Sequence, residues 1–209
     1  MDNRQLRSWY ERKFASLGRF LANRGFTANF FSTLSILTAF FVAVAYYYHY
    51  PWLAAILIIL TGFFDMLDGS VARAAGTASK FGTVLDHCID RYAEYLFLTG
   101  VMIGDYADPF WVLFAFFGMI MASYVRAKAE SMGVESCSVG IAERKEKLSL
   151  LIIGSLLVTW FEDIKIPIID ETIGLLELTV ILIGILSHIS AIQRIAYAKK
   201  PLKNKLLST

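Results

Sequence analysis

Cysteine is almost missing. Only Cys88 and Cys137 occur in 209 residues, and neither has metal-ligand spacing, which excludes a disulfide framework and a zinc site. Histidine is as sparse: His49 and His188 are isolated, and His87 reads as a packing or surface residue. Charge is scarce too, at 18% of residues. A soluble domain must keep a polar surface, so a chain that is 56% hydrophobic is not expected to be one. Its mean hydropathy of +0.55 points the same way. The opening MDNRQLRSWYERKF has no short apolar core and no cleavage site, so no removable signal peptide is expected. There is no internal repeat, linker or low-complexity run, which makes residues 1–209 a single domain. Nothing points to nucleic acid as a partner.

What is abundant is long apolar runs. A spanning helix needs about 20 mostly apolar residues. Six segments qualify, near 29–49, 51–72, 82–104, 109–128, 146–162 and 173–197. None alternates with the period of a barrel strand, so the expected fold is an all-α integral membrane protein with six transmembrane helices. The connections alternate in charge. Of the 20 Lys and Arg residues, 19 fall on one side, and the opposite loops hold only Lys165. By the positive-inside rule both termini are cytoplasmic. Residues 4–24 place Leu6, Trp9, Tyr10, Phe14, Leu17, Phe20 and Leu21 at helical spacing among arginines. Such a helix should lie flat in the interface, unless it is simply a positive anchor for the first span. The tail KKPLKNKLL reads as a basic surface stretch, solvated or touching anionic lipid.

The aspartates of the second and third spans gather toward the end where the two meet. Asp65 and Asp68 are three apart at the end of the second span; Asp86 and Asp90 are four apart at the start of the third. Both spacings put the pair on one helix face, and a short turn joins the helices. Four carboxylates at membrane depth repel one another, and charged groups there usually mark function. Divalent cations remove the repulsion, and an all-oxygen set suits magnesium or manganese, which also bind phosphate oxygens. Gly69 lets backbone approach a ligand, and Arg73 offers donors to phosphate. The competing reading is that the aspartates serve only as salt-bridge partners of Arg73, Lys80 and Arg91; Arg91 is expected to pair with an acid in either case.

A second polar cluster gathers Arg126, Arg144 and Arg194 near span ends on the same side. Three converging cations would bind a dianionic phosphate. The positive-inside rule alone also accounts for them. Lys128, Lys145 and Lys147 read as rim charges.

At these residues the chain resembles the CDP-alcohol phosphotransferase family. The family pattern D-x2-D-G-x2-A-R-x8-G-x3-D-x3-D is met by Asp65, Asp68, Gly69, Ala72, Arg73, Gly82, Asp86 and Asp90, eight fixed residues over 26 positions. The resemblance implies two divalent ions, magnesium or manganese, on Asp65, Asp68, Asp86 and Asp90. It implies that Asp90 takes the proton of the acceptor hydroxyl. It implies a CDP-lipid site made of Asp68, Gly69, Ala72, Arg73, Ser79 and Gly82. A nucleotide-pocket element that carries proline in the family reads Thr27, Ala28, Asn29 here, which leaves Asn29 as the candidate.

The SYVRAKAE segment at 123–130, the GIAER segment at 140–144 and the Gln193–Arg194 pair resemble the inositol-phosphate branch. There Arg126, Arg144 and Arg194 would hold the phosphate of the acceptor. The expected reaction moves a lipid-phosphate group from CDP-diacylglycerol or CDP-archaeol to 1D-myo-inositol 3-phosphate and releases CMP. The expected setting is a multi-pass enzyme of the cell membrane, active at the cytoplasmic face, with bilayer lipid as a partner and a homodimeric assembly. Glycerol 3-phosphate or serine as acceptor is the nearest rival. A magnesium transporter would need acids spread through the membrane depth, and a non-catalytic scaffold would leave Gly69 and the acids unexplained.

Overall fold

The computed structural model describes residues 14–161, 165–168 and 171–206. A first helix, α1, covers residues 14–23. It is followed by α2 (Ala28–Tyr47), α3 (Pro51–Ala74), α4 (Lys80–Ile103), α5 (Pro109–Ser131) and α6 (Arg144–Trp160). A hairpin of β1 (Lys165–Ile168) and β2 (Glu171–Gly174) leads into α7 (Leu175–Leu206). The six expected spans therefore exist as helices. Their ends lie within three residues of the sequence reading, except that α7 runs on through Pro201 to Leu206. Four of them, α2, α3, α5 and the Leu175–Lys199 part of α7, are long and apolar enough to cross a membrane. By contrast, α4 carries Asp86, Asp90, Arg91 and Glu94, and α6 has 17 residues and opens on Arg, Lys, Glu and Lys.

Local chemistry starts and stops each helix. The Thr27 hydroxyl accepts from Phe30 N at 3.3 Å, Ser79 Oγ from Gly82 N at 3.0 Å, and Asp108 Oδ1 from Phe110 N at 2.8 Å. Pro51 and Pro109 occupy first helical positions, where no amide donor is needed. Glu143 N donates to Glu146 Oε2 at 2.9 Å and closes the start of α6. His49 (φ 59°) and Asp105 (φ 56°) take left-handed backbone in the two short turns α2–α3 and α4–α5.

Apolar faces of α2 to α7 meet in one core that includes Val42, Tyr46, Ile58, Phe97, Val101, Met119, Leu151, Val180 and Ile183. Helix α2 packs on α3 and α4, α5 on α7, and α6 on α3 and α7. Polar side chains inside the bundle satisfy one another, as they must where water is excluded. Tyr46 and Ser155 hydroxyls are 2.5 Å apart, linking α2 to α6, and Thr61 Oγ1 donates to Thr38 Oγ1 at 2.9 Å. Large exposed side chains such as Phe40, Ile59, Leu113, Phe117 and Ile192 cover the outside. That apolar exterior is the surface of a multi-pass membrane protein.

Three expectations are refined. The hairpin adds a strand pair to the helical class: Lys165 pairs with Gly174 and Ile168 with Glu171 in antiparallel register. The sequence reading gives this segment only as a loop on the side opposite the basic connections. Its short stretch KIPI fits a strand, and a two-stranded ribbon tolerates Pro167 because every strand in it is an edge. Of the interfacial helix, residues 4–13, with Leu6, Trp9 and Tyr10, lie outside the described residues. The described part docks on the bundle. Phe14, Leu17 and Leu21 pack against Phe31, Leu67 and Val71. A Cβ at Gly18 would sit 2.7 Å from Ser70 O, so only glycine lets α1 approach α3 so closely. Finally, Lys147 is not at the rim but buried, at 5% exposure, whereas Lys145 is exposed. The packing of α6 decides this, not the local pattern of charge.

Candidate active site

Asp65 and Asp68 lie on the last turns of α3, and Asp86 and Asp90 on the first turns of α4. Contacts of α2 with both helices hold these ends together. Asp65, Asp68 and Asp86 each offer a carboxylate oxygen, and the three oxygens lie within 4.8 Å of one another. Ser32, one turn into α2, donates to Asp68 Oδ2 at 2.7 Å and fixes that carboxylate. Ser32 is a site residue the sequence reading missed; it stands three after Asn29, on the same helix face.

Asp90 does not join the group of three. Its Oδ1 lies 2.6 Å from Arg144 Nη2. The contact is ionic and lacks hydrogen-bond geometry, so Asp90 Oδ1 is buried without a hydrogen bond. The same guanidinium donates from Nη1 to Asp65 Oδ2 at 3.1 Å and from Nε to Glu94 Oε1 at 3.2 Å. Glu94 also meets Arg91 Nη1 at 2.8 Å, and Arg91 reaches Asp90 at 3.9 Å. Arg91 thus pairs with acids as expected. Glu94, 1% exposed, was not singled out from sequence, although it falls four residues after Asp90 on the same face.

The donor set fits a hard divalent cation. Three carboxylates converge, and no histidine or cysteine among the described residues joins them. The salt-bridge reading does not account for the group. Among the described residues Asp68 and Asp86 have no ion-pair partner within 4.0 Å, Arg73 donates to Ser70 Oγ, and Arg91 is taken up mainly by Glu94.

On one flank of the group lie the residues the resemblance assigned to the CDP-lipid. A Cβ on Gly69 would sit 3.1 Å from Arg73 Nη1, so the absence of a side chain there leaves room for the guanidinium. Ala72 and exposed Arg73 follow on the last turn of α3. Ser79 and Gly82 form the N-terminus of α4, a place where backbone N–H groups favour an anion. Asn29 is exposed at the start of α2.

On the other flank opens a cavity of about 710 Å³ between α3, α4, α5, α6 and α7. Asp65 and Asp90 form part of its wall, as do Arg126, Arg144 and Arg194. The three arginines are therefore brought to one place, but differently held. Arg126 pairs with Glu130 at 3.1 Å. Arg144 is held by the three acids already named. Arg194, 7% exposed, donates from Nε to Val139 O at 2.8 Å and from Nη1 to Ala122 O at 2.6 Å. His87 is exposed at the cavity edge; His188 Nε2 meets Phe114 O at 3.1 Å away from the site. Both cysteines are free, Cys88 exposed and Cys137 buried.

Known proteins are similar to this chain in sequence and in fold. The sequence profile of the CDP-alcohol phosphatidyltransferase family matches residues 26–190. The chain is 35% identical over 187 residues to the archaetidylinositol phosphate synthase of Pyrococcus horikoshii, covering 90% of this chain and 91% of that one. Its fold is similar to that of Mycobacterium tuberculosis phosphatidylinositol phosphate synthase with CDP-DAG bound. The TM-score is 0.75 at 22% identity, over 90% of this chain and 94% of that one. The same enzyme in complex with manganese and citrate gives a TM-score of 0.73 at 22% identity, over 88% of each chain. With the aspartate pattern complete from Asp65 to Asp90 and the profile matched across the bundle, the chain belongs to the CDP-alcohol phosphatidyltransferase family and is a membrane-embedded transferase of phospholipid biosynthesis.

Proposed function

We propose that this transferase moves a lipid-phosphate group from CDP-diacylglycerol or CDP-archaeol to 1D-myo-inositol 3-phosphate, releasing CMP. The observation that carries the proposal is the shared wall. Asp65 belongs both to the three-carboxylate group and, with Asp90, to the cavity lined by Arg126, Arg144 and Arg194. A donor held at the aspartates and a phosphorylated acceptor held in the cavity would meet at Asp65 and Asp90. Inositol phosphate as the acceptor is supported by the named activity of the Pyrococcus relative.

Asp65, Asp68, Asp86 and Asp90 would hold two divalent ions, magnesium or manganese. When bound, such ions neutralise the diphosphate and its CMP leaving group. The chain does the rest. Gly69, Ala72, Arg73, Ser79 and Gly82, with Asn29 and Asp68, seat the cytidine diphosphate end of the lipid. Arg126, Arg144 and Arg194 fix the acceptor phosphate and orient its hydroxyl. Asp90 takes the hydroxyl proton as the oxygen attacks the lipid-side phosphorus, opposite the departing CMP. The lipid tails stay in the bilayer.

The charge bias of the loops supports the reading that this end of the bundle, and both termini, face the cytoplasm at the cell membrane; α4 and α6 would then complete six spans. A homodimer is the assembly we propose, on family likeness. Purified protein offered CDP-lipid with inositol phosphate, glycerol 3-phosphate or serine in parallel should release CMP with inositol phosphate. Release with glycerol 3-phosphate or serine alone would reject the assigned acceptor. Cross-linking in membranes tests the dimer.

A further inference from the structure

A hydroxyl inside a helix ordinarily bonds its own backbone. Thr33, Ser155, Thr179 and Ser187 each donate to the carbonyl four residues back, at 2.9, 2.7, 2.9 and 2.6 Å. Ser32 departs from them. Its Oγ stands 3.3 Å from Ala28 O but 2.7 Å from Asp68 Oδ2. A hydroxyl has one proton to donate, and the shorter distance gives it to the carboxylate. Ser32 thus gives up the local bond for one that crosses from α2 to α3. The recipient is the buried member of the three-carboxylate group: Asp68 is 6% exposed, whereas Asp65 and Asp86 are half-buried. The kind of donor matters. A basic side chain in this place would orient Asp68 and also cancel its charge. A hydroxyl orients the carboxylate and leaves that charge for a cation. Turning the carboxylate breaks the bond, so the angle at which Asp68 meets Asp65 and Asp86 is set from α2.

We infer that Ser32 is a positioning residue for divalent-ion binding: its hydroxyl fixes the angle of Asp68 and through it sets the affinity of the aspartates for manganese or magnesium. The inference rests on the reading of the aspartates as a metal site. It goes beyond that reading by giving control of affinity to a side chain that is not itself a ligand. Ser32 stands three residues after Asn29 on the same face of α2. The helix end assigned to the nucleotide is therefore also the one that steadies a metal ligand.

The test titrates the full chain in detergent with manganese, without CDP-lipid. Free manganese is read by its electron paramagnetic resonance signal, and Tm is followed in parallel. Ser32→Ala should raise the manganese Kd about 10- to 100-fold, the usual effect of removing a group that orients a metal ligand. Ser32→Thr keeps a hydroxyl and should recover most of the loss. Thr33→Ala removes the neighbouring hydroxyl, which bonds Asn29 O, and should leave the Kd unchanged. In an Asp68→Asn background Ser32→Ala should add nothing further, because the effect passes through that carboxylate. CMP release by Ser32→Ala should return toward the wild-type rate as manganese is raised, since the ligands themselves are intact. A Kd that holds in Ser32→Ala while the metal-free Tm falls marks a hydroxyl that only ties α2 to α3, and overturns the inference. Equal weakening in Ser32→Ala and Thr33→Ala overturns it as well, since the helix rather than the hydroxyl is then responsible. Should wild type itself bind no manganese, the metal reading of the aspartates fails and the role of Ser32 with it.

Discussion

Arg144 Nη2 stands 2.6 Å from Asp90 Oδ1, joining the first turn of α6 to an α4 carboxylate in the cavity wall. The same guanidinium reaches Asp65 and Glu94, so a single side chain ties the aspartate helices to the wall where an acceptor would lie. Removing it should be felt by the acceptor first. Arg144→Ala is expected to raise the KM for inositol phosphate by more than that for CDP-lipid, with a loss of about 10-fold or more for a charged contact. Steady-state kinetics with each substrate varied in turn check the split.

Asp90→Asn keeps the shape of the side chain and removes its basicity. Turnover should fall about 10²- to 10⁴-fold, the usual contribution of a positioned base, while CDP-lipid still binds. CMP release together with lipid binding at equilibrium distinguishes lost chemistry from lost folding. Near-normal turnover would remove Asp90 from the reaction.

Metal should stabilise the fold as well as support turnover. Asp65, Asp68 and Asp86 crowd three oxygens within 4.8 Å, and a cation relieves that repulsion. At 100 times its Kd an ion bound only by the folded chain adds about 2.7 kcal/mol. Chelation should abolish CMP release and lower Tm, manganese should restore both, and Asp86→Ala should blunt the Tm gain. A Tm indifferent to metal in wild type would contradict the site.

Glu94 is buried between Arg91 and Arg144. Glu94→Ala leaves two guanidinium groups short of a partner, and breaking a buried pair in this way costs about 3–5 kcal/mol. Unfolding in mild detergent should detect the loss. A Tm equal to wild type would show that water or another acid takes over.

Far from the aspartates, Tyr46→Phe deletes the hydroxyl bonded to Ser155. Ser155 Oγ still donates to Leu151 O at 2.7 Å, so the cost should be about 1 kcal/mol, with turnover unchanged. A large loss of activity would mean that the α2–α6 contact governs the site.

The four aspartates were legible because helix geometry turns spacings of three and four into a shared face, and a charge among apolar residues stands out. The split between them was not legible. Sequence spacing makes Asp90 equivalent to Asp86, and only the approach of α6 gives Asp90 to Arg144. Ser32 and Glu94 were missed for the same reason: a serine in an apolar helix and an acid deeper in a span gain meaning from the neighbour that tertiary packing supplies. Lys147 misled because a basic run at a span end satisfies the positive-inside pattern whether its members are wet or buried. The helix ends were readable because the long apolar runs stop close to them. The hairpin before α7 was not, its four-residue strands being too short to outweigh a loop reading.

The fit of Gly18 against Ser70 has a mechanical consequence. Ser70 lies between Asp68 and Arg73, and Arg73 Nη2 donates to its hydroxyl. Any movement of α1 toward α3 therefore presses on the stretch of backbone that carries Asp68 and Arg73. That joint has no room for even a methyl group, so such a movement is carried directly into this backbone.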